Sequence, residues 1–154
     1  MTGPPGDEHE RFARYLEQLE DVRQADEAEL VRSVLHDPDT AMAQSAVVRH
    51  LDRRAAGLLV DPEFDGWLHT MTTAIGEREF LAHRLEDWAL LRAVAIDDPR
   101  RHEDLLAASD WCQRMAVWVL TSPVALHLLA SEGRTRRVRT AAHGRLGEHG
   151  RMDG

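Results

Sequence analysis

The sequence contains no lysine, only one cysteine and no apolar run of about 18 residues. Because Cys112 has no second cysteine to pair with, a disulfide within the chain is excluded as a means of holding the fold. The first residues, MTGPPGDEHE, lack the basic and apolar segments of a signal peptide. We therefore expect a cytoplasmic protein that does not bind or cross a membrane.

The composition indicates a soluble globular domain. Hydrophobic residues make up 43% and charged residues 30% of the chain, a balance that excludes a disordered protein. All 19 basic residues are arginine, and 27 acidic residues bring the formal net charge to −8. An acidic surface repels a polyanion, so nucleic acid is not the expected partner. The length predicts one domain over residues 9–147, with a disordered tail at 1–8 and a flexible tail at 148–154.

Apolar residues recur at steps of three and four, which predicts amphipathic helices and no strands. The clearest of these stripes runs from Phe64 to Ile75. Asp-Pro and Ser-Pro pairs such as Ser122-Pro123 mark helix starts, and glycines such as Gly133 mark helix ends. Thr40 and Thr135 are predicted to cap two further helices. The fold class is therefore all-α, with about eight helices.

Two segments far apart in the chain align without a gap. They are LVRSVLHDPDTAMAQSAVVRHL (Leu30–Leu51) and ALHLLASEGRTRRVRTAAHGRL (Ala125–Leu146). Each predicts a short helix, a tight turn and a longer helix with small and apolar inner positions, where Ala46 corresponds to Ala141. One such hairpin cannot bury its own apolar stripe, so hairpins are expected to stack side by side.

This pattern resembles HEAT repeats, the helical hairpins of α-solenoid proteins. In that family a turn containing Asp-Pro precedes a helix of the form V-R-x-x-A-x-x-x-L, which Val138 to Leu146 matches. The turn at Asp37-Pro38 also matches, but Ala43-Gln44 stands where Val-Arg is usual, and residues 61–122 depart further. The resemblance covers about half of the chain and implies a HEAT-like α-α superhelix. A compact irregular helical bundle is the alternative fold.

The segment GRTRRVRTAAHGR contains five arginines and no acidic residue. A basic helix face could recognise an acidic partner, and we predict Arg134, Arg136, Arg137 and Arg139 as partner-binding residues. The alternative is a solvated helix whose arginines interact with a helix C-terminus or pair with acidic residues of preceding helices. No aromatic residue lies among them, so base stacking is not indicated.

The four tryptophans are concentrated in the central part of the chain, where the repeat pattern is weakest. They either fill the core or line a pocket for a small ligand. Trp118 lies off the apolar stripe of its helix, so we expect it to be partly exposed and add it to the partner-binding residues. Glu79, His83 and Glu86 can share a helix face, but a solvated charged stripe explains them better than a metal site.

The sequence thus predicts a non-catalytic, HEAT-like module that binds an unidentified protein partner. No catalytic, metal-binding or cofactor-binding spacing is recognised, which favours a binding role without excluding an enzyme. Two alternatives stay open, namely a nucleic-acid-associated HEAT-like protein, and a small-ligand binder or enzyme that uses the Trp-rich section. Homodimers are a further option, because the acidic N-terminal part could meet the basic C-terminal part of another subunit.

Overall fold

The computed structural model describes the backbone of residues 6–152 and the side chains of residues 7–148. In this range the chain forms nine α-helices, one short 3-10 helix at Pro99–Arg101 and no strand, which confirms the all-α prediction. None of these helices is both long and apolar enough to cross a membrane. The α-helices are α1 (Gly6–Asp21), α2 (Gln24–Leu35), α3 (Thr40–Leu58), α4 (Phe64–Ile75), α5 (Glu79–Ala95), α6 (His102–Ala107), α7 (Asp110–Val119), α8 (Pro123–Glu132) and α9 (Arg136–Met152).

One predicted helix is divided in the structure. After the start signal at Asp98-Pro99, the apolar spacing predicts a single helix that carries Leu105 and Cys112. In the structure α6 and α7 are separated by Ala108 and Ser109, and the backbone of Ala108 is extended (φ −71°, ψ 165°). The hydroxyl of Ser109 then accepts a hydrogen bond from the backbone N–H of Cys112 at 3.1 Å. Serine is a favoured N-cap because its short side chain satisfies a backbone donor that the first turn leaves unpaired. The described residues therefore form nine α-helices, where the sequence predicts about eight.

The contacts of the chain cluster into two compact units. Unit 1 is Met1–Leu85 and unit 2 is Glu86–Gly154. The boundary falls within α5, and within each unit the helices bury their apolar faces mainly against one another.

Helices extend into both segments that the sequence predicts as tails. Residues 1–5 and 153–154 lie outside the described residues, but α1 already begins at Gly6 and α9 continues to Met152. Asp7 and Glu8 occupy the first turn of α1, where negative charge interacts favourably with the helix dipole. Gly147 suggested an end to α9, but a glycine inside a helix costs only about 1 kcal/mol and does not by itself stop it.

In unit 1, α1 packs on α2 and α3, while α2 also packs on α4. The core is formed by fully buried residues of four helices, among them Val34, Leu51, Phe64 and Met71. Burying a side chain of this size contributes about 1.5–3 kcal/mol. Because α2 packs on α1, α3 and α4, it lies at the centre of the unit.

Asp37 fixes the turn between α2 and α3 to α1. Its Oδ2 atom accepts hydrogen bonds from Tyr15 Oη at 2.7 Å and Arg11 Nε at 3.1 Å. Its Oδ1 atom accepts the backbone N–H of Asp39 at 2.9 Å. Asp39 in turn accepts the N–H of Met42 at 3.1 Å and is therefore the N-cap of α3, so the cap predicted at Thr40 is wrong by one residue.

In unit 2, α8 and α9 form a closely packed hairpin, and α7 packs on α9. The buried amide of Gln113 joins three segments of this unit. Its Nε2 atom donates to the carbonyl oxygens of Leu105 at 2.9 Å and Leu106 at 3.0 Å, and its Oε1 atom accepts the N–H of Arg134 at 2.8 Å. Because every polar atom of this side chain is paired, its burial is compatible with a stable core.

The two aligned segments both form helical hairpins, α2–α3 in unit 1 and α8–α9 in unit 2. Thr135 caps α9 as predicted, since its Oγ1 accepts the N–H of Val138 at 3.1 Å. Burial agrees at the aligned apolar pairs Val34 with Leu129, Ala43 with Val138 and Val47 with Ala142. It differs at other aligned positions, because Met42, Ala46 and Leu51 are buried whereas Arg137 and Ala141 are exposed and Leu146 is half-buried. Val138 and Ala142, one helical turn apart, are the buried positions of α9, so the prediction that Ala141 faces inward is wrong.

Candidate functional sites

The predicted partner-binding arginines lie at the turn between α8 and α9 and in the first turns of α9. We call Arg134, Arg136, Arg137 and Arg139 the arginine surface. The side chains of Arg134, Arg136 and Arg137 are exposed. No acidic residue lies in the first turn of α9, where positive charge is unfavourable because the helix dipole is itself positive there. These three arginines therefore add positive charge to a site that already attracts anions.

Arg139 has a structural role as well. It is half-buried, and its Nη1 atom donates to the carbonyl oxygen of Gly133 at 2.8 Å, at the C-terminal end of α8. This contact agrees with the alternative interpretation, in which an arginine interacts with a helix C-terminus. One of the four arginines thus holds the hairpin together.

The other part of that interpretation, pairing with carboxylates of preceding helices, is not observed for the arginine surface among the described side chains. The carboxylate of Asp110 lies near the start of α9, where its Oδ1 accepts a hydrogen bond from the hydroxyl of Thr135 at 3.5 Å. That carboxylate already pairs with Arg114 at 3.0 Å.

Trp118 lies at the C-terminal end of α7 and is 80% exposed. Next to it, Arg145 of α9 donates to the carbonyl oxygens of Val117, Trp118 and Leu120, the last two at 3.0 and 3.3 Å. A guanidinium in this position satisfies carbonyls that the end of α7 leaves without helical partners. Arg145 was not predicted as a functional residue, and its contacts explain it as a tie between two helices.

The arginine surface and Trp118 lie at opposite ends of the α7–α9 pair. The starts of the two helices meet at Asp110 and Thr135, and the end of α7 meets Arg145, so the helices run parallel. Nine residues separate Arg136 from Arg145 along α9, which corresponds to about 14 Å. The structure thus brings the arginines together but leaves Trp118 outside their cluster.

A buried polar cluster in unit 1 was missed by sequence reasoning. Glu27 of α2 is 2% exposed, and its Oε2 atom contacts His50 Nε2 at 2.6 Å, Arg54 Nε at 3.0 Å and Trp67 Nε1 at 3.1 Å. Arg54 Nη2 also donates to Oε1 at 3.3 Å. We call these residues, with Arg53, the Glu27 network. It joins α2, α3 and α4.

The hydrogen bonds of His50 define its protonation state. Arg53 Nη2 lies 3.0 Å from Nδ1, and a guanidinium can only donate, so Nδ1 must be an acceptor. The ring proton is then on Nε2, which donates to Glu27. A neutral imidazole therefore lies between a carboxylate and a guanidinium, and Arg53 also donates to the carbonyl oxygen of Leu19 at 3.2 Å.

Burial alone would raise the pKa of Glu27, but its donors outweigh that effect. Hydrogen bonds from His50, Arg54 and Trp67 lower the pKa to about 2. The carboxylate is therefore ionised at neutral pH, and Oε2 already accepts three hydrogen bonds. A group in this state is a poor general base, and its most direct effect is to fasten three helices.

Two cavities adjoin the Glu27 network, with volumes of about 320 Å³ and about 200 Å³. Gln24 and Glu27 line both of them; Trp67 lines the larger, and Arg53 the smaller. The sequence did contain a signal for this site. Glu27 is four residues before the buried Val31, so it falls on the apolar stripe of α2 rather than on the solvated face.

The remaining tryptophans and Cys112 belong to the core of unit 2. Trp88 is fully buried and makes an edge-to-face contact with Trp111, with ring centroids 5.9 Å apart. Cys112 is also fully buried, as expected. Burial, and to a lesser extent the charge of Asp87, raises the pKa of the Cys112 thiol to about 12, so the reactive thiolate is strongly disfavoured.

The possible metal-binding residues of α5 form no metal site with their neighbours. Glu79, His83 and Glu86 are all exposed. Among the side chains that the structure describes, no group of three His, Cys, Asp or Glu residues has an arrangement suited to a metal ion.

No protein-family model, no curated protein and no solved structure matches this chain. A function must therefore be argued from the chemistry of the sites. Two sites are available for this purpose, namely the arginine surface of unit 2 and the Glu27 network of unit 1.

Proposed function

We propose that this chain is a non-catalytic, HEAT-like interaction module whose arginine surface binds an acidic segment of a partner protein. The observation that carries this proposal is the exposure of Arg136 and Arg137 in the first turn of α9 without a carboxylate in contact among the described residues. Within one chain this arrangement is electrostatically unfavourable, and a bound anionic segment would relieve it.

The HEAT-like part of the proposal is supported by the two helical hairpins, α2–α3 and α8–α9, in which the aligned pairs Val34 and Leu129, Ala43 and Val138, and Val47 and Ala142 are all buried. The exposure of Ala141 counts against a strict repeat, because a HEAT hairpin would bury that position. Stacked helical hairpins commonly bind partners through extended surfaces rather than pockets, which agrees with an exposed cluster of charges.

Trp118 supports protein binding through a second feature. A tryptophan that is 80% exposed leaves a large apolar surface in water, and tryptophan is enriched among the residues that dominate binding energies at protein interfaces. It lies about 14 Å along α9 from the arginine surface. An acidic segment of more than about five residues in extended conformation could therefore contact both sites.

A protein partner is favoured over nucleic acid by the net charge of the chain and by the lack of aromatic side chains among the arginines. The net charge of −8 opposes the approach of a polyanion of DNA length, whereas a short acidic segment is exposed mainly to the local positive charge. No aromatic side chain occurs among the clustered arginines to stack on a base.

Fluorescence polarisation with a labelled peptide of alternating glutamate and serine tests the proposal. We expect binding at about 0.05 M salt that weakens strongly at about 0.5 M, since exposed charges are screened. The double variant Arg136→Glu and Arg137→Glu should bind at least about tenfold more weakly, and Trp118→Ser should have a smaller effect if the labelled peptide carries an apolar residue.

The matched control is Arg100→Glu with Arg101→Glu, which changes the charge of the same unit by the same amount away from α9. We expect its affinity to stay within about twofold of the parent. Equal losses in both double variants would reduce the effect to net charge and contradict a defined site. Tighter binding of a DNA duplex than of the peptide, with the same dependence on Arg136 and Arg137, would instead favour nucleic acid.

A further inference from the structure

We propose that the acidic segment bound by the arginine surface is helix α1 of a second copy of this chain, so that the protein associates with itself. This inference rests on the proposed function, because it names the partner of the same surface. It is drawn from the complementary charges of two exposed helix faces.

The outer face of α1 is acidic along its whole length. Asp7, Glu10, Glu17 and Asp21 are separated by three, seven and four residues, which places them on one side of the helix, and all four are exposed. Arg14 is the basic residue on the same side. None of the four carboxylates forms an ion pair among the described side chains. This face therefore has the opposite charge to the arginine surface and is equally uncompensated.

The opposite side of α1 is fixed within unit 1, so the acidic face is presented by a folded helix. Leu19 is 1% exposed, and the hydroxyl of Tyr15 donates to the carboxylate of Asp37 at 2.7 Å. A partner surface that is already ordered loses little conformational entropy on binding. For this reason a helix face can serve as the bound acidic segment without unfolding.

The net charges of the two units also support this pairing. Unit 1 contains 17 acidic residues and 9 arginines, whereas unit 2 contains ten of each. The net charge of −8 thus resides in unit 1. Two copies that approach with unit 1 facing unit 2 avoid the repulsion that two facing acidic units would produce.

Pairing of two different surfaces has a consequence for the assembly. If each copy both offers α1 and receives one at its arginine surface, two contacts can close around a two-fold axis as a dimer. If the geometry does not close, the same contact extends into a chain of copies. In both cases association requires the two surfaces together.

Sedimentation velocity over a range of protein concentrations tests the inference. We expect association of the parent at about 0.05 M salt and dissociation at about 0.5 M. Arg136→Glu with Arg137→Glu should be monomeric, and so should Glu10→Arg with Glu17→Arg. An equimolar mixture of these two variants should associate again, because it recreates one contact between opposite charges.

A control reverses two exposed carboxylates of unit 1 outside α1, Glu77→Arg with Glu79→Arg, and should associate like the parent. All four substituted carboxylates are exposed, so circular dichroism should show folded variants. Failure of the mixture to associate, or association that neither double reversal weakens, would overturn the inference.

Binding of the labelled acidic peptide tests the proposed function separately from self-association. The Glu10→Arg and Glu17→Arg variant keeps its arginine surface and should still bind the labelled acidic peptide. A parent chain that stays monomeric at low salt but binds that peptide would overturn self-association and leave the partner a different protein. A parent chain that does neither would overturn both proposals.

Discussion

The two units bury polar groups in different ways. Unit 1 contains a charged group in its core, the Glu27 carboxylate, held by an imidazole, a guanidinium and an indole. Unit 2 contains a neutral amide, Gln113, held by three backbone groups. Both solutions satisfy every strong hydrogen-bonding atom of the central residue, but only the first depends on a charge.

Buried titratable groups, Glu27 in unit 1 and Cys112 in unit 2, give the units opposite responses to pH. The pKa of Glu27 falls from 4.5 to about 2 in the folded chain, so its stabilisation is present above pH 4.5 and is lost as the pH falls toward 2. The pKa of Cys112 rises from 9 to about 12, so the stability of its buried thiol is present below pH 9 and is lost as the pH rises toward 12. Acid should therefore weaken unit 1, and alkali unit 2.

Removing the charge at Glu27 is the strongest way to test the comparison. Glu27→Gln should lower the free energy of unfolding by about 3–5 kcal/mol, because an amide leaves Arg54 without its counter-charge in a buried site. Urea unfolding followed by circular dichroism measures the loss, and hydrogen exchange with mass spectrometry should locate it in unit 1. Between pH 4.5 and 2 the parent should lose about 3 kcal/mol more than the variant, which lacks the carboxylate of Glu27.

The matched control is Glu29→Gln, an exposed carboxylate on the same helix. Its effect should stay within about 0.5 kcal/mol. If both substitutions cost the same, or if the variant keeps the acid sensitivity of the parent, the Glu27 network does not account for the stability of unit 1.

A smaller loss is expected from Gln113→Leu in unit 2. The leucine fills a similar volume but leaves the carbonyl oxygen of Leu106 and the N–H of Arg134 without the amide that pairs with them, at a cost of about 2–3 kcal/mol. The carbonyl oxygen of Leu105 loses one hydrogen bond but keeps that from the N–H of Ala108 at 3.2 Å. Because no charge is involved, this loss should be constant between pH 4.5 and 8. Hydrogen exchange should rise in α6 and in the α8–α9 turn, and Gln18→Leu at an exposed site of α1 should leave both unchanged. A pH-dependent loss would remove the contrast between the units.

The helix pattern of both units could be predicted from sequence because its signals are local. Ser122 and Thr135 cap α8 and α9 through atoms three residues away. The extra break before α7 follows the same rule, and Ser109 was available as its signal. The cap of α3 was placed at Thr40 because threonine and aspartate are adjacent there, and only the geometry distinguishes them.

The polar centres of the units could not be predicted in the same way, because their partners are far apart in sequence. Glu27 meets Trp67 across 40 positions, and Gln113 meets Arg134 across 21. A charged residue on an apolar stripe indicates that something must pair with it, but not which residue does. The arginine surface was predictable as a cluster, whereas its lack of carboxylate partners is a property of the folded chain.

The smallest expected effects concern two glycines of unit 2 and should have opposite signs. A Cβ atom at Gly133 would lie 2.5 Å from the carbonyl oxygen of Leu129 and 2.8 Å from Val138 Cγ1. That oxygen accepts the N–H of Gly133 at 2.9 Å and cannot move away without losing this bond. Gly133→Ala should therefore lower the free energy of unfolding by about 1–3 kcal/mol.

Gly144, inside α9, has open space where its Cβ would be, so Gly144→Ala should instead raise the free energy of unfolding by up to about 1 kcal/mol. Thermal unfolding of the two variants beside the parent measures both changes. Because the substitutions are chemically identical and lie in the same hairpin, only the closeness of α8 to α9 at Gly133 distinguishes them. A rise in the free energy of unfolding for both variants would mean that the turn between these helices has more space than the contacts of Gly133 indicate. The position of the arginine surface would then be less rigid.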